Sequence, residues 1–332
     1  MMGAFSLVQA EVRCFGIAAL GNLNCMGDRA LIAVLDVVLI LPGRTLSEYA
    51  SGLIKTGYSR TPQSNSIKRE PLSYQGSIDE HVHLLQASKN VLERLVEDFQ
   101  TQNASSPTLI HADLYKRNIY VHPYDLTTIT GIIDWQSTSI EPAFVYTNET
   151  PDFASLPDEY QLEEDKSTTP EEQKRLNDAK ICHQIYDVIM KGLIPKLRPA
   201  KLLDPALYRP FLCCHTTRRD SAIALRHKLM ELSARWTDLG MQSTCPYSPD
   251  EQEIAQHAQD YEDFETVQKL KIWLKDSFND SDGRVPNEVW DAAEYAHRAA
   301  YDEWIETARE VGANGDGLTV EKADRSWPFD SR

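Results

Sequence analysis

The residues whose types and spacing hold the most chemistry are His111-Ala-Asp113-Leu-Tyr-Lys116-Arg117-Asn118, followed by Gly131-Ile-Ile-Asp134-Trp135. Phosphoryl transfer to a hydroxyl needs a carboxylate that orients the hydroxyl and accepts its proton, and Mg2+ to bridge the nucleotide phosphates. Magnesium takes hard oxygen ligands, so a carboxylate and an amide oxygen are suitable donors. An Asp followed five positions later by an Asn puts a base and a metal ligand on one turn. A second Asp closing a neighbouring strand can approach the same ion from the other side. In such a scheme Asp113 is the base, Asn118 and Asp134 are the metal ligands, and His111 braces the loop by hydrogen bonding. Lys116 and Arg117 lie where positive charge can meet phosphate or substrate; the alternative is a pair of plain solvent-exposed bases.

These residues need strands and helices to hold them. Thr108-Leu109-Ile110, Ile119-Tyr120-Val121 and Ile129 to Ile133 are short β-branched runs between polar loops, which suits small strands. Upstream, Ser77 and Glu80 form a capping box that starts a helix. Val82, Leu85, Val91, Leu92, Leu95 and Phe99 keep one face of it apolar. Downstream, Thr169, Pro170 and Glu172 signal another helix start, Asp204-Pro205 a third, and Gly240 a left-handed stop after Leu239. Two long amphipathic helices are expected over Asp250 to Phe278 and Pro286 to Glu310, with their aromatics (Tyr261, Phe264, Trp273, Trp290, Trp304) in the core. The linker Asn279 to Gly283 fails as a calcium loop, because Phe278 and Val289 stand where the first and last acidic ligands belong. Arg60 to Tyr74 reads as a polar connector, and residues 1 to 45 as an apolar segment of different texture. There is no internal repeat.

Composition narrows the partners. A net charge of -16 with no offsetting basic run argues against nucleic acid, whose phosphates need clustered Lys and Arg. Six cysteines without CxxC spacing suggest reduced, mostly buried thiols rather than a disulfide framework or a zinc site. The apolar run Ala30 to Leu41 contains Asp36 and falls short of the ~20 residues a spanning helix needs. A membrane span is therefore not expected. The N-terminus, with Arg13 and Arg29 as its bases, gives faint support to a mitochondrial presequence.

The order His-x-Asp-x-x-x-x-Asn, then Ile-Asp-Trp, resembles the catalytic loop and metal motif of the aminoglycoside phosphotransferase and choline kinase group, a branch of the protein-kinase-like fold. The wider text, Leu109 to Ile119, Gly131 to Ser139 and Glu149-Thr-Pro-Asp-Phe-Ala154, is similar to a fungal subgroup that includes altered inheritance of mitochondria protein 9. This resemblance implies an α+β fold, mainly the helical C-terminal lobe with a small β-hairpin region. Residues 46–332 would form that lobe with a C-terminal helical extension, and residues 1–45 would replace most of a truncated N-terminal lobe. It further implies ATP and Mg2+ as cofactors, Lys116 and Asn118 at the nucleotide, a small-molecule hydroxyl acceptor, and a mitochondrial or cytoplasmic location.

The chain departs from that pattern upstream. No G-x-G-x-x-G precedes residue 100, and Lys55 is the only Lys among the first sixty residues, beyond the segment that would be the lobe. Forty-five residues are too few for a five-stranded sheet and its helix at roughly 5–6 residues per strand plus turns. Glu141-Pro142-Ala143 also stands where many relatives carry Gly-Asp-Pro. Two readings follow: an active or impaired phosphotransferase, and a non-catalytic pseudokinase-like binding protein that keeps its loop by descent. A metal-dependent hydrolase using His111, Asp113 and Asp134 is the weaker third, for want of more His ligands at close spacing, the nearby His122 reading as a turn residue after the strand.

Overall fold

The computed structural model describes residues 45–61, 71–111, 113–136, 138–147, 149–156, 169–277, 289–313 and 319–328. Expectations for residues 1–44 and for the linker 279–283 lie outside the described residues. The fold is mixed and mostly helical, with two small antiparallel ribbons.

Thr45 opens the first helix, α1 (Leu46–Arg60), its hydroxyl accepting from the Glu48 amide at 3.2 Å. Arg60 is thus the last residue of a helix, not the start of a connector, and it donates to the His215 carbonyl. Helix α2 (Ile78–Leu95) starts where Ser77 accepts from the Glu80 amide. Its buried stripe is His81, Leu84, Leu85, Ser88, Val91, Leu92 and Leu95. Val82 falls off that stripe and is exposed, and Phe99 opens the separate short helix α3 (Phe99–Asn103) with its ring in solvent. Leu85 lies at the margin of the stripe, and Val82 stands beyond it on the side away from Leu84, Val91 and Leu95, while Phe99 follows the end of α2 and no longer shares its repeat. Helix α1 lies so close to α2 that a Cβ on Gly57 would sit 2.5 Å from Leu85 Cδ2 and 2.8 Å from the Cys214 carbonyl oxygen.

The β region follows: β1 (Pro107–Ile110), β2 (Ile119–His122), β3 (Asp125–Ile132) and β4 (Ser139–Pro142). β1 pairs with β4, and β2 with β3 as a hairpin in which Ile119 faces Ile132. β4 leads directly into α4 (Ala143–Tyr146), and Phe144 is fully buried against Phe211, 5.1 Å between ring centroids. After α5 (Pro170–Val188), its π-turn Ile189–Leu193 and α6 (Arg198–Leu202), the helices α7 (Pro205–Cys213), α8 (Thr217–Asp220) and α9 (Ala222–Arg235) complete the core with α1 and α2. Asp204 caps α7 and also holds Arg235 at the end of α9. Gly240 adopts φ 78° after α9.

Helices α10 (Glu251–Ser277), α11 (Trp290–Ala313) and α12 (Val320–Ser326) close two smaller clusters, one in which Val267 meets Leu72, Tyr74 and Ile223 and one of Leu270, Leu274, Ala300 and Trp327. Tyr261, Phe264 and Trp304 pack against them as expected. Trp273 and Trp290 do not: both are exposed, Trp273 because the buried face of α10 is set by Val267, Leu270 and Leu274. Cys182 is likewise exposed, whereas Cys214 is buried and Cys213 and Cys245 are partly so. Among the described residues, no helix is long and apolar enough to cross a membrane.

Candidate active site

β1 ends at Ile110 and β3 at Ile132, and the residues after them meet. The buried His111 ring has Nε2 2.8 Å from the Ile133 carbonyl oxygen and Nδ1 3.3 Å from the Asp113 amide nitrogen. An amide N–H only donates, so Nδ1 accepts and Nε2 carries the proton given to the carbonyl. The Trp135 indole stands edge-on to this ring at 4.7 Å between centroids, and its Nε1 donates to the Ile132 carbonyl at 2.7 Å. His111 therefore ties the loop after β1 to the end of the hairpin.

Asn118 closes a 3-10 turn, Lys116–Asn118, and is buried. Its Nδ2 donates to the Asp113 main-chain oxygen at 2.8 Å and to Asp113 Oδ2 at 3.0 Å. Both partners accept only, so the amide nitrogen must face Asp113 and the amide oxygen must face away from it. The main chain of Asn118 is fixed too, by a bond from its amide to Tyr115 and one to its carbonyl from the Ile133 amide at 3.0 Å. That second bond prolongs the β2–β3 ladder beyond β3 and delivers Asp134. Asp134 has φ 69°, a left-handed conformation that a non-glycine residue adopts at a cost. Its half-buried carboxyl lies beside that of Asp113.

Asp113 is the electrostatic centre. Partial desolvation pushes its carboxyl up, but hydrogen bonds from Asn118 and Arg117 and the Arg117 charge outweigh it. The net result is a carboxyl below the ordinary Asp range. Arg117 Nη2 lies 3.1 Å from each Asp113 oxygen, and its guanidinium stacks over the Tyr115 ring at 4.5 Å. The Lys116 side chain is exposed and, among the described residues, makes no ion pair; its main-chain amide donates to Asp152 Oδ1 at 3.0 Å. Asp152 is a supporting residue that spacing did not single out, since it lies 36 positions beyond its partner. Helix α5 braces that segment in turn: Tyr186 donates to the Glu149 carbonyl, and the His183 ring meets the Ala154 carbonyl at 3.0 Å.

The structure thus gathers His111, Asp113, Asn118 and Asp134, with Arg117 bound to Asp113 and Lys116 on the rim. The donor set fits Mg2+: one carboxylate and one amide oxygen, with the rest of the coordination left for phosphates and water. It does not fit a zinc hydrolase. Among the described residues no three His, Cys, Asp or Glu side chains are grouped to hold a metal. His122 lies at the opposite end of the hairpin from the Ile119–Ile132 pair and accepts from the Tyr124 amide. Beside the site Tyr115, Ile133 and Trp135 are exposed, and along the hairpin so are Tyr120, Val121, Leu126 and Ile129.

Neither a protein-family model, nor a curated protein, nor a solved structure matches the chain.

Proposed function

We propose that the chain is an ATP- and Mg2+-dependent phosphotransferase acting on a hydroxyl of a small molecule, of the aminoglycoside phosphotransferase type, with the catalytic lobe of a protein-kinase-like fold. The observation that carries this reading is the convergence of Asp113, Asn118 and Asp134 from two separate elements. In this reading Asp113 orients the acceptor hydroxyl and takes its proton, which works only if its lone pairs are accessible. Asn118 and Asp134 would hold the metal, His111 positions the loop, and the exposed Lys116 ammonium meets donor phosphate. Bound Mg2+ would neutralise charge on the phosphates being transferred.

Titration of the purified chain with ATP and Mg2+, following melting temperature, tests the reading. Expected is a saturable rise that requires Mg2+ and disappears in Asp134→Ala; at 100 times Kd it amounts to about 2.7 kcal/mol of added stability. No shift at millimolar ATP in a folded sample overturns it. Asp113→Ala and Asp134→Ala should each nearly abolish turnover without unfolding the chain, and an active Asp134→Ala variant removes the metal assignment. A second reading, a non-catalytic binding protein, is favoured by one observation: the base carboxylate is already paired with Arg117.

A further inference from the structure

Asp113 has two close donors of different kinds. Asn118 is buried and bonded to the loop at two points, so it is a permanent fixture. Arg117 is a surface group. Its side chain is 55% exposed and the Asp113 carboxyl 31%, and a single nitrogen is shared between both oxygens at 3.1 Å. A carboxylate offers about four acceptor positions. Arg117 engages both oxygens and Asn118 takes Oδ2 again, so an incoming hydroxyl finds most of the carboxylate occupied. Arginine cannot give up its proton to relieve this, because its charge is permanent. It has to move. The pair is weak enough to exchange, since an ion pair this exposed is worth little. A polyphosphate is the natural competitor, for it carries more charge and presents paired oxygens to a guanidinium. Tyr115, 4.5 Å below the guanidinium, gives it an aromatic face to rest on in either position.

We propose that Arg117 is a latch on Asp113: at rest its guanidinium occupies the base, and donor polyphosphate draws it off, so that the carboxylate opens to an acceptor only when the donor is bound. This rests on the phosphotransferase reading. It makes Arg117 a positioning residue for Asp113 and assigns the loop's two cations different duties, with Lys116 standing ready for phosphate. The latch would also suppress idle chemistry, because the base is uncovered only beside a bound donor.

The test is a double-mutant cycle on the full chain: wild type, Asp113→Asn, Arg117→Gln and the double variant, each titrated calorimetrically with sodium tripolyphosphate and, separately, with ATP and Mg2+. The latch predicts that Asp113→Asn, which takes this carboxylate away from Arg117, binds tripolyphosphate about fivefold more tightly than wild type, the factor expected for one partly exposed ion pair. Asp113→Asn added to Arg117→Gln should bring no such gain. An equal gain in both backgrounds means simple relief of repulsion and overturns the latch, as does no gain or no binding by any of the four. The phosphotransferase reading is judged separately, by whether wild type binds ATP with Mg2+. A gain that depends on Arg117 but no ATP binding keeps the latch as an anion-responsive device and removes the kinase. Should Asp113→Asn fail to fold, carbodiimide labelling of the wild-type Asp113 carboxyl decides. It should rise when tripolyphosphate is added and start high and unresponsive in Arg117→Gln; a wild-type level that tripolyphosphate does not change overturns the latch.

Discussion

His111→Ala removes a side chain that joins the loop after β1 to the end of β3. Its cost can be built from the contacts. The bond from Nε2 to the Ile133 carbonyl, at 2.8 Å, has good length and contributes about 1 kcal/mol net. The bond accepted from the Asp113 amide is longer, at 3.3 Å, and contributes roughly half of that. The edge-on contact with Trp135 adds about 0.5 kcal/mol. The sum, about 2 kcal/mol, corresponds to a fall in melting temperature of roughly 4 °C in a domain of this size class. Urea denaturation gives the stability change, and amide hydrogen exchange locates it: exchange at Asp113 should accelerate in the variant while the α2 core amides stay protected relative to global unfolding. His111→Gln, whose amide can reach toward the Ile133 carbonyl, should recover part of the loss. A His111→Ala protein within 0.5 kcal/mol of wild type, with unchanged exchange at Asp113, would refute the tether.

Three further outcomes are expected. Burial, then His227 and Arg226 beside it, push His257 down from 6.5 to about 4, with its Nε2 3.3 Å from His227 Nδ1. The unfolded chain therefore binds this proton at higher pH than the fold does, and stability should be full above pH 6.5 and decline as pH falls toward about 4. His257→Gln should flatten that slope in urea titrations across the window; an unchanged slope would leave His257 without a part in it. Gly57→Ala drives a methyl into Leu85 and the fixed Cys214 carbonyl, so it should cost about 1–3 kcal/mol by chemical denaturation, and a neutral result would mean that α1 can back away from α2. Asp204→Ala deletes the α7 cap and the Arg235 pair together and should lower stability by about 1–2 kcal/mol, with most of the loss retained in 1 M salt because the cap bond to the Ala206 amide at 2.9 Å is short-range.

Much of the site was legible because its residues are close in sequence. His111 to Asn118 is one loop, and the β-branched runs on either side announce the strands that end there. Local signals also located Ser77, Asp204 and Gly240 at helix ends, since a cap is a matter of a few adjacent residues. What remained hidden depended on pairing across distance. β4 is four residues ending in proline, and only its partner β1, with Thr108 opposite Glu141, makes it a strand. Asp152 reaches Lys116 over a span that no periodicity covers. The Arg117 bond to Asp113 is an i to i+4 pair, but nothing in the text separates a cation facing its own loop from one facing a ligand. Trp273 and Trp290 were misplaced because aromatic content was weighed without knowing which face of α10 and α11 meets a neighbour.

The backward-turned main chain at Asp134 sets two kinds of fitness against each other. Glycine adopts φ 69° freely, and an aspartate there gives up on the order of 1 kcal/mol. A library screened for heat resistance alone should therefore drift toward glycine at this position. A library screened for phosphate transfer should hold the acid. Whichever residue accumulates when both screens start from this one chain reports which demand the position answers.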